Sequence, residues 1–295
     1  MNLNNPVNIG QWKSYDGFIL PKQRTVQLDN LYPISELLYG SEGQLQLIYT
    51  ETIDELCKYL DEVSKMIKVE NTETVLIDEV FYTTKIEGAN TTRIRTAEIH
   101  DGAPISEDNS KSELMVLSGF RATKLLNLHP GKMSKPLLCE VWGAMIDGCC
   151  DNWSIRGLDN GYRTGNVQVG KHVGIDYENV DMYMDLWIDF YNSSEFDEKP
   201  FLKASILHYA FENIHPFCDG NGRMGRLLMN NYLIGQGIDS ARAVSFSMAI
   251  DNTRHRYEAA FDESENGYAD CTPFAEYMLT QMATAYTTAS QVATK

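Results

Sequence analysis

Residues 201–232 leave the chain little choice of fold. Leu207, Ala210, Phe211 and Ile214 recur at the spacing of one apolar helical face. Pro216 disfavours helical geometry at the residue before it, so that helix should stop at His215. Gly220 and Gly222 then permit unusual backbone angles and close approach to the main chain. Leu227, Leu228 and Tyr232 point to a second helix starting near Gly222 or Arg223. The segment therefore reads as a helix, a glycine-bearing loop and a second helix, with a titratable side chain at the break.

The rest of the chain follows the same habit. Helical patterns run over residues 45–69, 74–85, 111–128, 135–149 and 180–191. Thr272 and Pro273 make a good start for a last helix with Phe274, Tyr277, Met278 and Gln281 on one face. One stretch departs from this. Asn166, Val167, Gln168 and Val169 alternate polar and apolar, then Gly170 and Lys171 precede His172 and Val173, which reads as a short β-hairpin. Polar loops fall at 193–200 and 262–270, and 101–110 is the best linker candidate. The expected fold class is all-α with a single hairpin. Two regions are expected: an N-terminal helical region at 1–110, and a core at 111–295.

The 295 residues, 43% of them hydrophobic, supply ample material for a core. A net charge of −16 argues against a nucleic-acid partner, which would need a basic stripe. Residues 1–22 lack the basic start and apolar run of a signal peptide, and no apolar stretch is long enough for a bilayer. The six cysteines show no CxxC pair. Cys149 and Cys150, in an apolar segment, are expected as reduced core residues. These features describe a cytoplasmic protein with neither a nucleic-acid nor a membrane partner.

Against that acidic background, residues 215–226 are a local exception suited to a small anion. His215 can take a proton from a hydroxyl, because an imidazole titrates near neutrality. Asp219 is placed to hold a Mg²⁺ ion that bridges phosphate oxygens. Gly220, Asn221 and Gly222 form a main-chain nest at a helix N-terminus, where anions are favoured. Arg223 and Arg226, three apart, share a helical face and offer two planar forks to a polyphosphate. Phe217 is most simply a core plug. A Walker A loop is excluded, since no Lys-Ser/Thr follows the glycines and no strand precedes them.

A second segment stands apart. Thr83, Glu87 and Gly88 close the helical pattern at 74–85, with Gly88 in the place of a helix stop. Glu87 near a helix C-terminus opposes the macrodipole, so on the residues alone it is either a solvated glutamate at a helix end or one with a cationic partner elsewhere.

The run His215-Pro216-Phe217-Cys218-Asp219-Gly220-Asn221-Gly222-Arg223-Met224-Gly225-Arg226 resembles the signature of Fic-domain proteins, HPFx(D/E)GNGRxxR, at every defined position. His208 and Tyr209, the segment Gly161-Tyr162-Arg163 and the hairpin continue the resemblance, which covers roughly residues 111–237. It implies a Fic-fold helical bundle with a β-hairpin flap. It also implies transfer of AMP from ATP to a Ser, Thr or Tyr hydroxyl of a target protein, with pyrophosphate released. By resemblance His215 is the general base and Asp219 the Mg²⁺ ligand. Asn221 with the Gly220 and Gly222 amides is the α-phosphate nest, and Arg223 and Arg226 are the outer-phosphate contacts. Val167, Gln168, Val169, Gly170, Lys171, His172 and Val173 are the flap that aligns a target by strand addition.

Thr83, Glu87 and Gly88 match the motif (S/T)xxxE(G/N) of a class of Fic proteins with an N-terminal inhibitory helix, which implies that Glu87 pairs with Arg226. The winged-helix module that many such proteins carry is not expected here. Three alternatives stay open: removal of AMP with Glu87 positioning water, use of another phosphate-containing donor, and a non-catalytic nucleotide-sensing module. Helical domains of this kind often self-associate, so a homo-oligomer is a further expected partner.

Overall fold

The computed structural model describes residues 32–39, 43–150, 158–159, 161–169, 172–265 and 269–293. An antiparallel pair, β1 (Tyr32–Tyr39) and β2 (Gly43–Leu47), precedes α1 (Glu51–Met66), α2 (Thr72–Ile86), α3 (Arg93–His100), α4 (Ser110–Leu126) and α5 (Lys135–Ile146). Two small antiparallel pairs follow, β3 (Leu158–Asp159) with β4 (Tyr162–Arg163), and β5 (Gln168–Val169) with β6 (His172–Val173). The remaining helices are α6 (Val180–Asn192), α7 (Pro200–Ile214), α8 (Asn221–Gly235), α9 (Phe246–Asp251), α10 (Arg254–Glu265) and α11 (Thr272–Ala293).

Local chemistry sets many of these boundaries. Side-chain oxygens of Thr50, Thr92, Ser134 and Ser245 accept from first-turn N–H groups of α1, α3, α5 and α9. Proline occupies the first turn of α5 and α7, where its missing N–H costs nothing. Helix α7 is the centre of the bundle, with α6, α8 and α11 packed around it. Even Lys203, Ser205 and His208 of α7 are buried. Trp187, Phe201, Phe211, Phe274 and Tyr286 fill the space between these helices. The molecule is an all-α bundle with small β elements, and none of its described helices is long and apolar enough to cross a membrane.

The structure corrects several sequence expectations. The described residues form three two-stranded sheets, not one hairpin. Residues 45–47, read as helical, belong to β2. There Gln46 N–H donates to Ala269 O (2.8 Å) and Gln46 O accepts from Cys271 N–H (2.9 Å), a pairing no local window contains. Residues 262–265, read as loop, are the last turn of α10. Helices α3, α9 and α10 were not anticipated, being short or largely polar. The linker candidate at 101–110 is lashed down. Arg95 grips Glu113 through Nε and Nη2 (2.9 and 2.8 Å), and Ser106 donates twice to the same carboxylate. The Arg95 bonds hold the Glu113 carboxyl down at about 2.

Helix α2 docks with little buried apolar surface. Its buried apolar side chains are Val80 and Ile86 alone, among the described residues. Polar side chains fix it instead. Glu79 accepts from Ser245 Oγ (2.8 Å), Ser247 N–H (3.0 Å) and Ser247 Oγ at the start of α9, and Lys85 pairs with Asp251 (2.6 Å). Beneath its N-terminal half lies a cavity of about 350 Å³, lined by Leu76 and Val80 of α2, Gly119 of α4, and Arg223 and Leu227 of α8.

Candidate active site

The last turn of α7 carries the first functional side chain. His215 N–H still bonds Phe211 O (2.9 Å), then the backbone turns left-handed at φ 53, ψ 60. That region is open to His at modest cost and steeply disfavoured for branched residues. Arg163, 4% exposed, holds the turn. Its N–H donates to Pro216 O (2.9 Å), Nε to His215 O (2.8 Å), Nη1 to Gly165 O (2.7 Å), and Nη2 to Ile214 O (3.3 Å) and Ile175 O. Burial lowers its pKa, and these carbonyls give the buried cation its hydrogen-bond partners. Spacing alone gave Arg163 no role. The available signal is only its place beside Gly161 and Tyr162, ahead of the hairpin.

Phe217 is the expected plug, fully buried and stacked on Trp142 at 4.6 Å and 8°. The indole N–H of Trp142 donates to Asp219 O (2.9 Å) and so fixes the loop beyond. Gly220, at φ 83, caps α8. The helix starts at Asn221, slightly earlier than the sequence suggested, because the Asn221 side chain bridges the loop. It accepts from Phe217 N–H (2.9 Å) and donates to Phe217 O (2.8 Å). Its amide therefore belongs to the loop, while first-turn N–H groups of α8 lack intrahelical partners and suit an anion.

Arg223 and Arg226 are both 1% exposed, and although three residues apart on one helix they reach different neighbours. Arg223 reaches α5, where Nη1 donates to Met145 O (3.2 Å), and it stands 3.5 Å from Asp219 Oδ1. Arg226 reaches α2. Its Nε donates to Thr83 Oγ1 (2.8 Å), and Nη2 donates to Thr83 O (3.3 Å) and Glu87 Oε1 (2.6 Å). Burial opposes the Arg226 charge, but Glu87 and then Tyr257 hold its pKa above the ordinary arginine value. One buried donor on each arginine, Arg223 Nε and Arg226 Nη1, has no partner. Such orphans are uncommon in buried sites and are what an added anion would satisfy.

Asp219 is half exposed, and its Oδ2 accepts from the Cys150 thiol (2.9 Å). Cys149 is buried as expected, but Cys150 is only half-buried and belongs to this site. Asp219 could serve as the one carboxylate of a divalent cation that completes its shell with other oxygen ligands and water. Bound there, the ion would neutralise phosphate charge. The hairpin root lies next to His215: Gly174 N–H donates to Val167 O (3.1 Å), and a Cβ on Gly174 would stand 3.5 Å from His215 Cβ. The strands pair Gln168 with Val173 and Val169 with His172. Gly170 and Lys171 of the expected flap lie outside the described residues.

Thr83 and Glu87 occupy one face of the last turn of α2, and Gly88, at φ 85, ends it. Glu87 is 35% exposed and lies against the first turn of α8. A Cβ on Gly222 would overlap Glu87 Oε1 and stand 3.2 Å from Arg226 Nη1. Because the atom it meets is the far end of a flexible side chain, Gly222→Ala is expected to swing Glu87 off Arg226 and to cost the folded state at most about 1 kcal/mol, the scale of losing a partly exposed ion pair. The cost should shrink in a Glu87→Gly background, and a double-mutant cycle by urea denaturation checks this.

Comparison with known proteins adds three findings. The profile of the Fic/DOC family matches residues 137–233, which span α5 to α8 and contain the whole 215–226 run. The protein adenylyltransferase Fic of Aedes aegypti is 28% identical over 209 residues, covering 68% of this chain and 39% of the relative. The chain thus spans about two fifths of that relative's length. Among solved structures, a Fic family protein from Desulfovibrio desulfuricans G20 superposes with a TM-score of 0.69 at 22% identity, over 83% of this chain and 76% of the other. Residues 134–508 of Fic-1 from C. elegans give 0.64 at 20% identity, over 83% and 72%. These two likenesses speak to the fold.

Proposed function

We infer that this chain, a Fic-domain protein, is an autoinhibited protein adenylyltransferase that moves AMP from ATP to a Ser, Thr or Tyr hydroxyl of a target protein. The observation that carries the reading is the convergence at one helix–loop–helix of a constrained His215, a half-exposed Asp219 and two buried arginines with unsatisfied donors. A scaffold has no use for a base beside an anion cradle.

In the proposed reaction the target hydroxyl oxygen attacks the α-phosphorus of ATP, the bond from that phosphorus to the β-bridging oxygen breaks, and pyrophosphate leaves. His215 takes the hydroxyl proton; the Arg163 clamp fixes the backbone from which the imidazole projects. First-turn amides of α8 hold the α-phosphate, and Arg223 and Arg226 hold the outer phosphates. Asp219 would hold Mg²⁺. The edge of the β5–β6 hairpin lines up the target main chain by strand addition, which tolerates varied side chains.

Autoinhibition is part of the same inference. A carboxylate on Arg226, lying over Gly222, takes up the position and the charge complement that a terminal phosphate needs. The test is incubation of the chain with α-labelled ATP and target-containing lysate, followed by denaturing electrophoresis. Label bound to protein and dependent on His215 supports transfer of AMP. Label lost from a pre-modified protein, dependent on Glu87, would reverse the direction assigned to the reaction.

A further inference from the structure

A second acidic group lies within electrostatic reach of Arg226 but outside ion-pair distance. The side chain of Glu212, on the last turn of α7, is 12% exposed, and its Oε1 is buried without a hydrogen-bond partner. That oxygen lies 2.7 Å from where a Cβ on Gly225 would be, so glycine at 225 is what lets the carboxyl rest against α8 one residue before Arg226. From α7 itself, His208 presents Nε2 at 4.0 Å from Glu212 Oε1 and at 2.7 Å from the Tyr257 hydroxyl of α10. Arg226 of α8 and Glu87 of α2 supply the local charges, and Tyr277 of α11 stands behind Tyr257.

The charge state of this cluster follows from burial. Burial lifts the Glu212 carboxyl; Arg226 pulls it down and Glu87 pushes it up, leaving it at about 8. Burial, then Arg226, drives His208 down to about 3, and burial lifts Tyr257 well above its usual range. At neutral pH one cation and one anion remain, Arg226 and Glu87. Arg226 keeps its proton under all ordinary conditions and is almost wholly buried, so departure of Glu87 leaves a buried cation in need of an anion.

We propose that Glu212 is the reserve counter-ion of Arg226, a carboxyl that stays protonated while Glu87 holds the arginine, gives its proton to solvent when Glu87 leaves, and takes one back when a phosphate arrives. Only the last step rests on the reading of Arg226 as a phosphate contact. The signs are as follows. Without Glu87, one influence raising Glu212 is lost and the lowering influence of Arg226 stands unopposed, so Glu212 titrates lower. A phosphate on Arg226 raises it again. Phosphate binding is then accompanied by proton uptake, is tightest at low pH, and weakens as pH rises through the bound-state value.

Infrared difference spectroscopy of the protonated carboxyl tests the first step on the full chain, with Glu212→Gln as the isosteric neutral reference. The Glu212 midpoint is expected to fall in Glu87→Gly relative to the unaltered chain. Equal midpoints would overturn the proposal. Calorimetry with inorganic triphosphate, in buffers of different ionisation enthalpy, tests the last step in the Glu87→Gly form. Expected is proton uptake that disappears when Glu212→Gln is added, whereas uptake unchanged by that substitution would overturn the proposal. If triphosphate fails to bind while the midpoint still falls, the counter-ion exchange stands and the phosphate reading of Arg226 falls. A purely structural Glu212 would alter thermal stability and leave both proton measurements unmoved.

Discussion

Glu87→Gly is expected to raise transfer of label from α-labelled ATP to protein by roughly ten- to a hundredfold, the scale set by a coupling of 1–3 kcal/mol. The estimate follows from what the carboxylate does. It makes a charge-assisted bond of 2.6 Å to a guanidinium that is 1% exposed. Glu87 itself is 35% exposed, so solvent screens part of the attraction and the upper end of the range is a ceiling. Removing it leaves Arg226 Nη2 with only its longer bond to Thr83 O and clears the ground over Gly222. Thr83 still accepts from Arg226 Nε, so the arginine stays in place. Quantified autoradiography of matched reactions is the measurement. Unchanged labelling would mean that the ion pair is a structural bond and not a brake.

His215→Ala carries the other large effect, a loss of transfer of about 10²- to 10⁴-fold, the usual contribution of a positioned general base. Nucleotide binding should persist, because the arginines and the α8 amides are untouched. The left-handed backbone at 215 complicates Ala, which tolerates φ 53 less well than Asn does. His215→Asn is therefore the better probe. It should lose as much transfer as Ala while melting closer to the unaltered chain. Equilibrium binding of a fluorescent ATP analogue, set beside single-turnover labelling, separates the two quantities. Parallel loss of binding and transfer would make His215 a nucleotide contact instead of a base.

Much of this site was legible because its constraints are local. Pro216 ends a helix by steric exclusion, Gly220 supplies a positive φ, and Phe217 has no other use in so polar a loop. The helical class of the fold was legible for the same reason. What escaped was set by long-range contact. The strand at Gly43–Leu47 pairs with its neighbour β1, and Gln46 adds main-chain bonds to residues 269 and 271, more than two hundred positions away. Asn221 looked like a ligand contact, and only the folded loop shows its amide closing on Phe217. Arg163 shows in sequence as one cation among many; its role comes from carbonyls of three other segments converging on it. Glu212, three residues before His215, carries no signal in the sequence; the room for its carboxyl comes from Gly225 on another helix.

The placement of Glu87 has a consequence for how any such brake responds to concentration. It lies 139 residues from Arg226 in the same chain, so it acts as a ligand that cannot be diluted away. Even short flexible tethers give effective concentrations on the order of millimolar, and a helix fixed by Glu79 and Lys85 gives more. The share of molecules with Arg226 already taken is then the same in dilute and in crowded solution. A triphosphate competes only as it approaches that internal concentration. Whatever loosens the polar seam of α2 would therefore retune any nucleotide threshold of this site without touching the nucleotide.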